Sequence, residues 1–369
     1  MKILYVINDL DFFISHRLPI AKFAIENNYK VFVASNSLPK VQIQGITFLS
    51  FKIDRSSVGL LSNFKSLIQL NKLIENISPD IVHSVTLKSI LLSNLCLIFN
   101  TKIKKVNAVS GLGFLFTSER KSLAAIILKS LFKLINIIGK PYYIFQNEND
   151  LNEFKKLRVK ENFKLIKGSG VSHKEFIYTP PIKKQKLNIT FTGRILKDKG
   201  ILELINAVQI LPGEIQSKVV LNIYGKIDLD NPAHIIEKEI KKLLKPNLII
   251  WHGNTNDIKN VLIKSDIYCL PSYREGLPKS TIEAMAIGRP IITTNAPGCE
   301  DTVSEGVNGF KVNIKDHKTL SEKLKILIED EPLRIQMGKK SRDIFEENFT
   351  LDKVVKQTFD LYDSLIVKN

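Results

Sequence analysis

Two glutamates, Glu275 and Glu283, stand eight positions apart, with Gly276, Pro278, Ser280 and Thr281 between them. Glycine and proline hold the first part out of a helix, and the Ser-Thr-Ile-Glu-Ala-Met-Ala run that follows opens one. Glu275 therefore falls in a loop at the mouth of a sheet, and Glu283 falls one turn inside a helix. The helix N-terminus between them offers free backbone N–H groups and a positive dipole end, which suits a phosphate. A ligand with a diphosphate in its middle and hydroxyl-rich groups at both ends satisfies all three features. A nucleotide sugar is such a ligand.

A second segment supplies charge. Residues 188–192 read as a strand that runs into Thr192-Gly193-Arg194-Ile195-Leu196-Lys197-Asp198-Lys199-Gly200 and then a helix. Gly193 permits a tight turn, Arg194 offers a guanidinium fork, and Lys199 adds a point charge, a set that matches a diphosphate. Taken alone, the segment also reads as an ordinary turn with solvated charges. Gly225 follows the next strand. Gly253 and Asn254 follow another, in a loop that is either plain turn chemistry or a nucleobase contact, with Asp257 capping the next helix. His252 has no cysteine or carboxylate pair nearby in sequence, so no metal site is expected. No GxGxxG fingerprint, P-loop or defensible Ser-His-Asp order is present, so a dehydrogenase reading has the fold class without the motif.

The elements that must position these residues alternate. Short β-branched runs at 2–7, 30–34, 46–51, 80–82, 105–108, 142–145 and 163–166 are separated by helical patterns at 17–27, 60–76, 88–98, 121–138 and 148–157. A second series has strands at 188–192, 218–223, 247–250, 267–270 and 290–293, and helices at 199–210, 232–243, 256–264, 279–287 and 316–328. Helices at 331–346 and 350–367 close the chain. The expected fold class is α/β, with two Rossmann-like doubly wound domains facing a cleft. The first spans 1–170. Residues 171–187 form a linker around Pro180-Pro181, and the second domain spans 188–349. The terminal helix, 350–369, is expected to pack back on the first domain.

Composition narrows the partners. The 369 residues include 54 Lys and Arg against 37 Asp and Glu, a net charge of +17. Such a balance favours anionic partners, whether phosphorylated substrates or anionic lipid. No nucleic-acid-binding motif is present, so no nucleic-acid partner is expected. Cys96, Cys269 and Cys299 are odd in number and widely spaced, which excludes a disulfide framework and suits a reducing compartment. The N-terminal run turns polar too soon for a signal peptide, and the apolar stretches 89–99 and 123–138 are too short or too interrupted to span a bilayer.

Together these residues resemble the family-4 retaining glycosyltransferases of the GT-B fold, and the match extends over nearly the whole chain. Glu275 and Glu283 carry the most specific motif. Ala296-Pro297-Gly298-Cys299, Phe12–Pro19, Val82–Lys88 and Val109–Phe114 are similar to the branch that assembles bacterial surface polysaccharide such as O-antigen or capsule. The resemblance implies a UDP-sugar donor, an N-acetylhexosamine or hexose, and a lipid-diphosphate-linked glycan acceptor. It implies no cofactor and no metal. Arg194, Lys199 and Glu275 would be catalytic. The donor would lie against Gly193, Arg194, Lys199, Gly225, Asn254, Glu275, Gly276, Leu277, Pro278 and Glu283, with Glu283 on the ribose and Glu275 on the sugar. His16, Arg17, His83, Thr86, Lys88 and Gly111, read as strand-to-helix loop residues, would meet the acceptor. Glu300 and Ser172 depart from the branch, which often has a basic residue and an aspartate there.

The segment 119–140 reads as a basic amphipathic helix. Leu123, Ile127, Leu131, Leu134 and Ile138 lie on one face, and Arg120, Lys121, Lys129, Lys133 and Lys140 lie around it. It suits either an anionic membrane surface or a core helix with snorkelling lysines. The first would put the chain peripherally on the cytoplasmic face of the inner membrane. Two other readings remain open: a GT-B nucleotide-sugar epimerase, which needs no acceptor, and a basic lipid- or nucleic-acid-binding protein.

Overall fold

A computed structural model describes residues 1–53, 60–112, 123–229 and 231–366. The chain divides into two compact units, residues 1–169 with 352–369, and residues 170–351.

Among the described residues, the first unit holds a seven-stranded sheet of β1 (Lys2–Ile7), β2 (Lys30–Ser35), β3 (Ile46–Ser50), β4 (Ile81–Val85), β5 (Lys104–Val109), β6 (Tyr142–Phe145) and β7 (Phe163–Leu165). The order is β3-β2-β1-β4-β5-β6-β7, and every pairing is parallel. Its helices are α1 (Leu10–His16), α2 (Leu18–Glu26), α3 (Leu60–Ile77), α4 (Leu87–Cys96), α5 (Leu123–Ile138) and α6 (Glu148–Lys155). Strands β1 and β4 are buried almost throughout, so apolar residues fill both faces of residues 3–7, whereas β4 also buries the polar His83 and Ser84. One core gathers Leu4, Val6, Val82, Leu92 and Leu70. Another gathers Ile90, Val109, Phe132, Tyr143, Phe145 and Phe154.

The second unit has a six-stranded sheet of β8 (Leu187–Thr192), β9 (Val219–Tyr224), β10 (Ile249–Trp251), β11 (Ile267–Leu270), β12 (Ile291–Thr294) and β13 (Gly309–Val312) among the described residues. The order is β10-β9-β8-β11-β12-β13, again all parallel. Its helices are α7 (Ile201–Gln209), α8 (Gly213–Gln216), α9 (Glu237–Leu243), α10 (Ile258–Ile263), α11 (Lys279–Ile287), α12 (His317–Glu329) and α13 (Glu331–Asn348). The last helix, α14 (Leu351–Ile366), belongs almost wholly to the first unit. Tyr362 on α14 lies within hydrogen-bonding reach of Tyr5 on β1, at 3.5 Å, and of His83 on β4, at 2.5 Å.

Both sheets are doubly wound about a central pair, β1 and β4 in the first unit and β8 and β11 in the second. In such sheets ligands bind beyond the C-terminal strand ends where the winding reverses. Residues 171–187 are pinned by two arginines. Arg289, fully buried, donates to the carbonyls of Thr179, Leu262 and Ile263. Arg342 donates to Phe176 O and Ala286 O.

Some sequence expectations need correction. Strand β13 and helix α1 were not anticipated: β13 opens on Gly309 and is interrupted by Lys311, and α1 is a seven-residue helix ended by the Arg17-Leu18-Pro19 junction. The helix expected at 232–243 starts only at Glu237, because the preceding segment pairs elsewhere: Lys197 N–H donates to Ala233 O at 2.8 Å, and Leu196 bridges His234.

Candidate functional site

The loops after β8, β9, β10, β11 and β12 all leave the same edge of the second sheet, because every strand runs parallel. The β8 loop carries Gly193, Arg194 and Lys199. The β11 loop carries Ser272 to Pro278 and leads into α11, where Glu283 sits 9 % exposed. Glu275 and Glu283 thus flank the helix start, as the spacing implied.

Backbone contacts lock these loops. Gly193 N–H donates to Tyr224 O at 3.0 Å, and Ile195 N–H donates to Lys226 O at 3.0 Å. A Cβ at Gly225 would stand 1.7 Å from Gly193 O. The close approach read into Gly225 is therefore to another loop's backbone. Tyr273 N–H donates to Asp198 O at 2.8 Å, and Glu275 N–H donates to Pro297 O at 3.0 Å. Gly298 adopts φ +77, and a Cβ there would lie 2.4 Å from the carbonyl oxygens of both Glu275 and Gly276. The 271–276 loop is thus held on one side by 198–200 and on the other by 296–298. Gly253 O accepts from Gly225 N–H at 2.7 Å, which places exposed Asn254 beside the same edge. Asp257 caps α10, as expected.

The charges form pairs. Arg194 Nη1 lies 2.5 Å from Asp228 Oδ2. Lys199 Nζ forms an ion pair with Glu275 Oε1, which also accepts from Ser272 Oγ at 2.8 Å. Lys279 Nζ lies 3.3 Å from Glu283 Oε1 along one turn of α11. Burial lifts the Glu283 carboxyl above its usual range, against the pull of Lys279, and Glu175 adds to the rise. Thr281, in the first turn of α11, is fully buried, and its Oγ1 has no hydrogen-bond partner among the described residues. Behind it Tyr268 OH lies 3.0 Å from Thr192 Oγ1. One strand edge therefore offers a helix N-terminus, a buried hydroxyl unpartnered among the described residues, three carboxylates and three cations.

The first unit builds its own edge. Thr86 Oγ1 donates to Asn8 Oδ1 at 3.0 Å, joining the ends of β1 and β4 where the winding reverses. Thr86 holds φ +74, a strained value for a β-branched residue. Arg17 is 3 % exposed, donates to Ser110 Oγ at 3.4 Å and His16 O at 3.3 Å, and leaves its Nε without a hydrogen-bond partner among the described residues. His16 stacks on Phe12 at 4.0 Å and shares a 2.7 Å contact with Ser15 Oγ. Lys88 lies in the first turn of α4, and Gly111 follows β5.

His83 corrects its expected place. It is not a loop residue but a buried member of β4, 1 % exposed and bonded to Tyr362. Burial and the nearby Arg17 hold its imidazole well below the usual histidine range. Gly113, Arg120 and Lys121 lie outside the described residues. On α5, Ala125, Phe132 and Ile135 are buried, whereas Leu123, Ile126, Ile127, Leu134, Ile137 and Ile138 are exposed. Leu131, expected on one apolar face with Leu123, Ile127, Leu134 and Ile138, is half-buried where those four are exposed. No helix among the described residues is long and apolar enough to cross a membrane, and no metal-binding group of three or more His, Cys, Asp or Glu occurs among them.

Asp228, Ser272 and Asn8 escaped the sequence reading. A polar residue closing a β-branched run was the only signal for Asn8. Asp228 meets Arg194 only once β8 and β9 are paired.

Residues 173–344 match the family described as Glycosyl transferases group 1, and residues 2–139 match Glycosyl transferase 4-like. The chain is 28 % identical over 371 residues, 95 % of each sequence, to the N,N'-diacetylbacillosaminyl-diphospho-undecaprenol alpha-1,3-N-acetylgalactosaminyltransferase of Campylobacter jejuni. It is 26 % identical over 324 residues, 85 % of this chain and 84 % of the relative, to the capsular polysaccharide biosynthesis glycosyltransferase CapM of Staphylococcus aureus. Its backbone superposes on sucrose-phosphate synthase from Thermosynechococcus elongatus with a TM-score of 0.83, covering both chains fully at 16 % identity. On Anabaena HepE in complex with UDP and glucose, the TM-score is 0.78, with 99 % and 100 % coverage at 17 % identity. Matched in sequence over both halves and in backbone throughout, the chain belongs to the family-4 glycosyltransferases of the GT-B fold.

Proposed function

We propose that this glycosyltransferase moves a sugar, an N-acetylhexosamine or hexose, from a UDP-sugar to a lipid-diphosphate-linked glycan in polysaccharide assembly, with retention of configuration. The observation that carries the donor half is the edge where Glu275 and Glu283 flank the start of α11 beside Arg194 and Lys199. In this reading the diphosphate lies at the helix start against Arg194 and Lys199, near the Thr281 hydroxyl. Glu283 accepts from the ribose hydroxyls. Glu275 and the backbone of Gly276 to Pro278 bind the sugar. Gly193 and Asn254 border the nucleotide, and Gly225 acts by clamping the Gly193 turn. The fixed cations stabilise the charge on the departing diphosphate without a metal. The acceptor attacks from the face the diphosphate leaves, and the leaving phosphate takes its proton. Glu275 is already engaged by Lys199 and Ser272, which favours a binding role over a nucleophilic one.

The acceptor half rests on Arg17. Burial depresses the basicity of its guanidinium, and among the described residues no carboxylate pairs with it. An anionic group arriving there meets a cation that has lost its water and gained little in return. Arg17 and Lys88 take the acceptor's diphosphate. His16, Thr86 and Gly111 border the acceptor, and His83 supports Arg17 from behind. The named acceptor chemistry of the Campylobacter relative, a diphospho-undecaprenol glycan, supports this reading. The UDP and glucose held by HepE support the donor.

The exposed apolar residues of α5, with Phe99 at 82 % exposure and the exposed Lys133 and Lys140, form the face by which the protein sits peripherally on the cytoplasmic face of an anionic membrane. Failure of the purified protein to float with anionic vesicles at low salt would remove that part.

The deciding experiment is calorimetric titration with UDP, GDP and ADP, using Glu283→Ala as control. Selective UDP binding that the variant loses is expected. Equal or absent binding of all three would overturn the donor reading.

A further inference from the structure

Three carboxylates are ion-paired with the cations of the donor edge. The nucleotide-sugar reading above, on which this inference rests, uses two of them: Glu275 on the sugar and Glu283 on the ribose. Asp228 is left without a ligand to hold. It stands in the loop after β9, with 13 % of its side chain exposed against 36 % for Arg194. That loop is fixed to the β8 loop by the Ile195–Lys226 and Lys197–Ala233 backbone bonds, 3.0 and 2.8 Å long. Ile195 and Ile227 also bridge in parallel, one residue before Asp228. The carboxylate is therefore held by the framework against the guanidinium that the diphosphate needs.

We propose that Asp228 is a built-in competitor of the substrate's diphosphate for Arg194, holding the cation in place in the free chain and hastening loss of the nucleoside diphosphate after transfer. The argument is electrostatic. A bound diphosphate brings negative charge to a cation already neutralised at 2.5 Å. Either the ion pair opens or like charges crowd one guanidinium, and both weaken retention. The effect is larger for the product, because cleavage of the glycosidic bond leaves the nucleoside diphosphate with more negative charge than the donor carried. The Lys199–Glu275 pair differs, since Glu275 has a sugar to bind once released.

The test is UDP binding, by calorimetry for affinity and stopped-flow for dissociation, in wild type, Asp228→Asn, Arg194→Ala and the double variant. Asp228→Asn should tighten UDP binding by about three- to tenfold, chiefly through slower dissociation. The same change in the Arg194→Ala background should have no effect. Unchanged or weaker binding in Asp228→Asn overturns the inference, because Asp228 would then orient Arg194. An equal gain with and without Arg194 also overturns it, as a general charge effect. Asp228→Ser removes the same charge with a smaller side chain, so a folding failure of one variant leaves the other to decide. A wild-type protein that binds no UDP overturns the donor reading itself, an outcome distinct from tight wild-type binding that Asp228→Asn leaves unaltered.

Discussion

At the winding reversal of the second sheet, Arg194, Lys199 and Lys279 each touch a carboxylate. At the matching point of the first sheet, Arg17 touches a backbone carbonyl and a serine hydroxyl, and among the described residues its Nε has no hydrogen-bond partner. The two edges share strand order, parallel pairing and loop placement, yet handle charge in opposite ways. A paired cation is stable when the site is empty and must exchange partners when a ligand arrives. An unpaired buried cation is costly when the site is empty and gains from any anion that reaches it. On the proposed reading, ligand affinity would be moderated on one edge and stored as instability on the other.

Four experiments test that contrast, from the largest expected effect to the smallest. Arg194→Ala and Lys199→Ala should each raise the transfer barrier by about 2–3 kcal/mol, the scale of one preorganised electrostatic group. Steady-state kcat/KM reads this, and near-wild-type values would detach both residues from the chemistry. Arg17→Met should do two things at once. It should lower glycan transfer, and it should raise the stability of the ligand-free protein by about 1–2 kcal/mol, because an unpaired buried charge is replaced by an apolar chain of similar size. A lower thermal midpoint would mean that Arg17 is satisfied as it stands and that the two edges do not differ.

The third concerns His83. Its folded-state pKa lies below the unfolded value, so the unfolded chain binds more protons at acid pH. Its contribution is complete above the unfolded value, near 6.5, and is lost as pH falls below it, with a slope approaching about 1.4 kcal/mol per pH unit. Denaturation midpoints of wild type and His83→Gln across that window measure the slope, which the variant should lack. The smallest effect is expected for Tyr362→Phe, which removes the hydroxyl beside His83 Nδ1 and Tyr5 and should cost about 1 kcal/mol. Stability equal to wild type would show that apolar packing alone holds α14 to the first sheet.

Periodicity made the alternation of strands and helices legible, because strands buried on both faces read as unbroken apolar runs, as in residues 3–7 and Ile267–Leu270. Gly309–Val312 was not legible, since it opens on a glycine and Lys311 interrupts its apolar run. Glu275, Glu283 and Arg194 were readable because helix-start chemistry and turn glycines are local in sequence. Amphipathicity of the 123–138 helix was readable too, but the face it buries was not. Both faces are apolar, and the buried one contacts Phe154 and Tyr143 from distant elements.

By itself, then, the sequence determined the class of fold, the two glutamates and the helix start between them, and a surplus of positive charge suited to anionic ligands. Only the tertiary structure decided which cations are neutralised and which are not. Asp228 meets Arg194 across 34 positions, and Tyr362 meets His83 across 279. The reason is physical: backbone conformation and amphipathic pattern act over a few residues, whereas an ion pair or a buried hydrogen bond depends on distance in space, set only when the sheets have formed and their loops have packed.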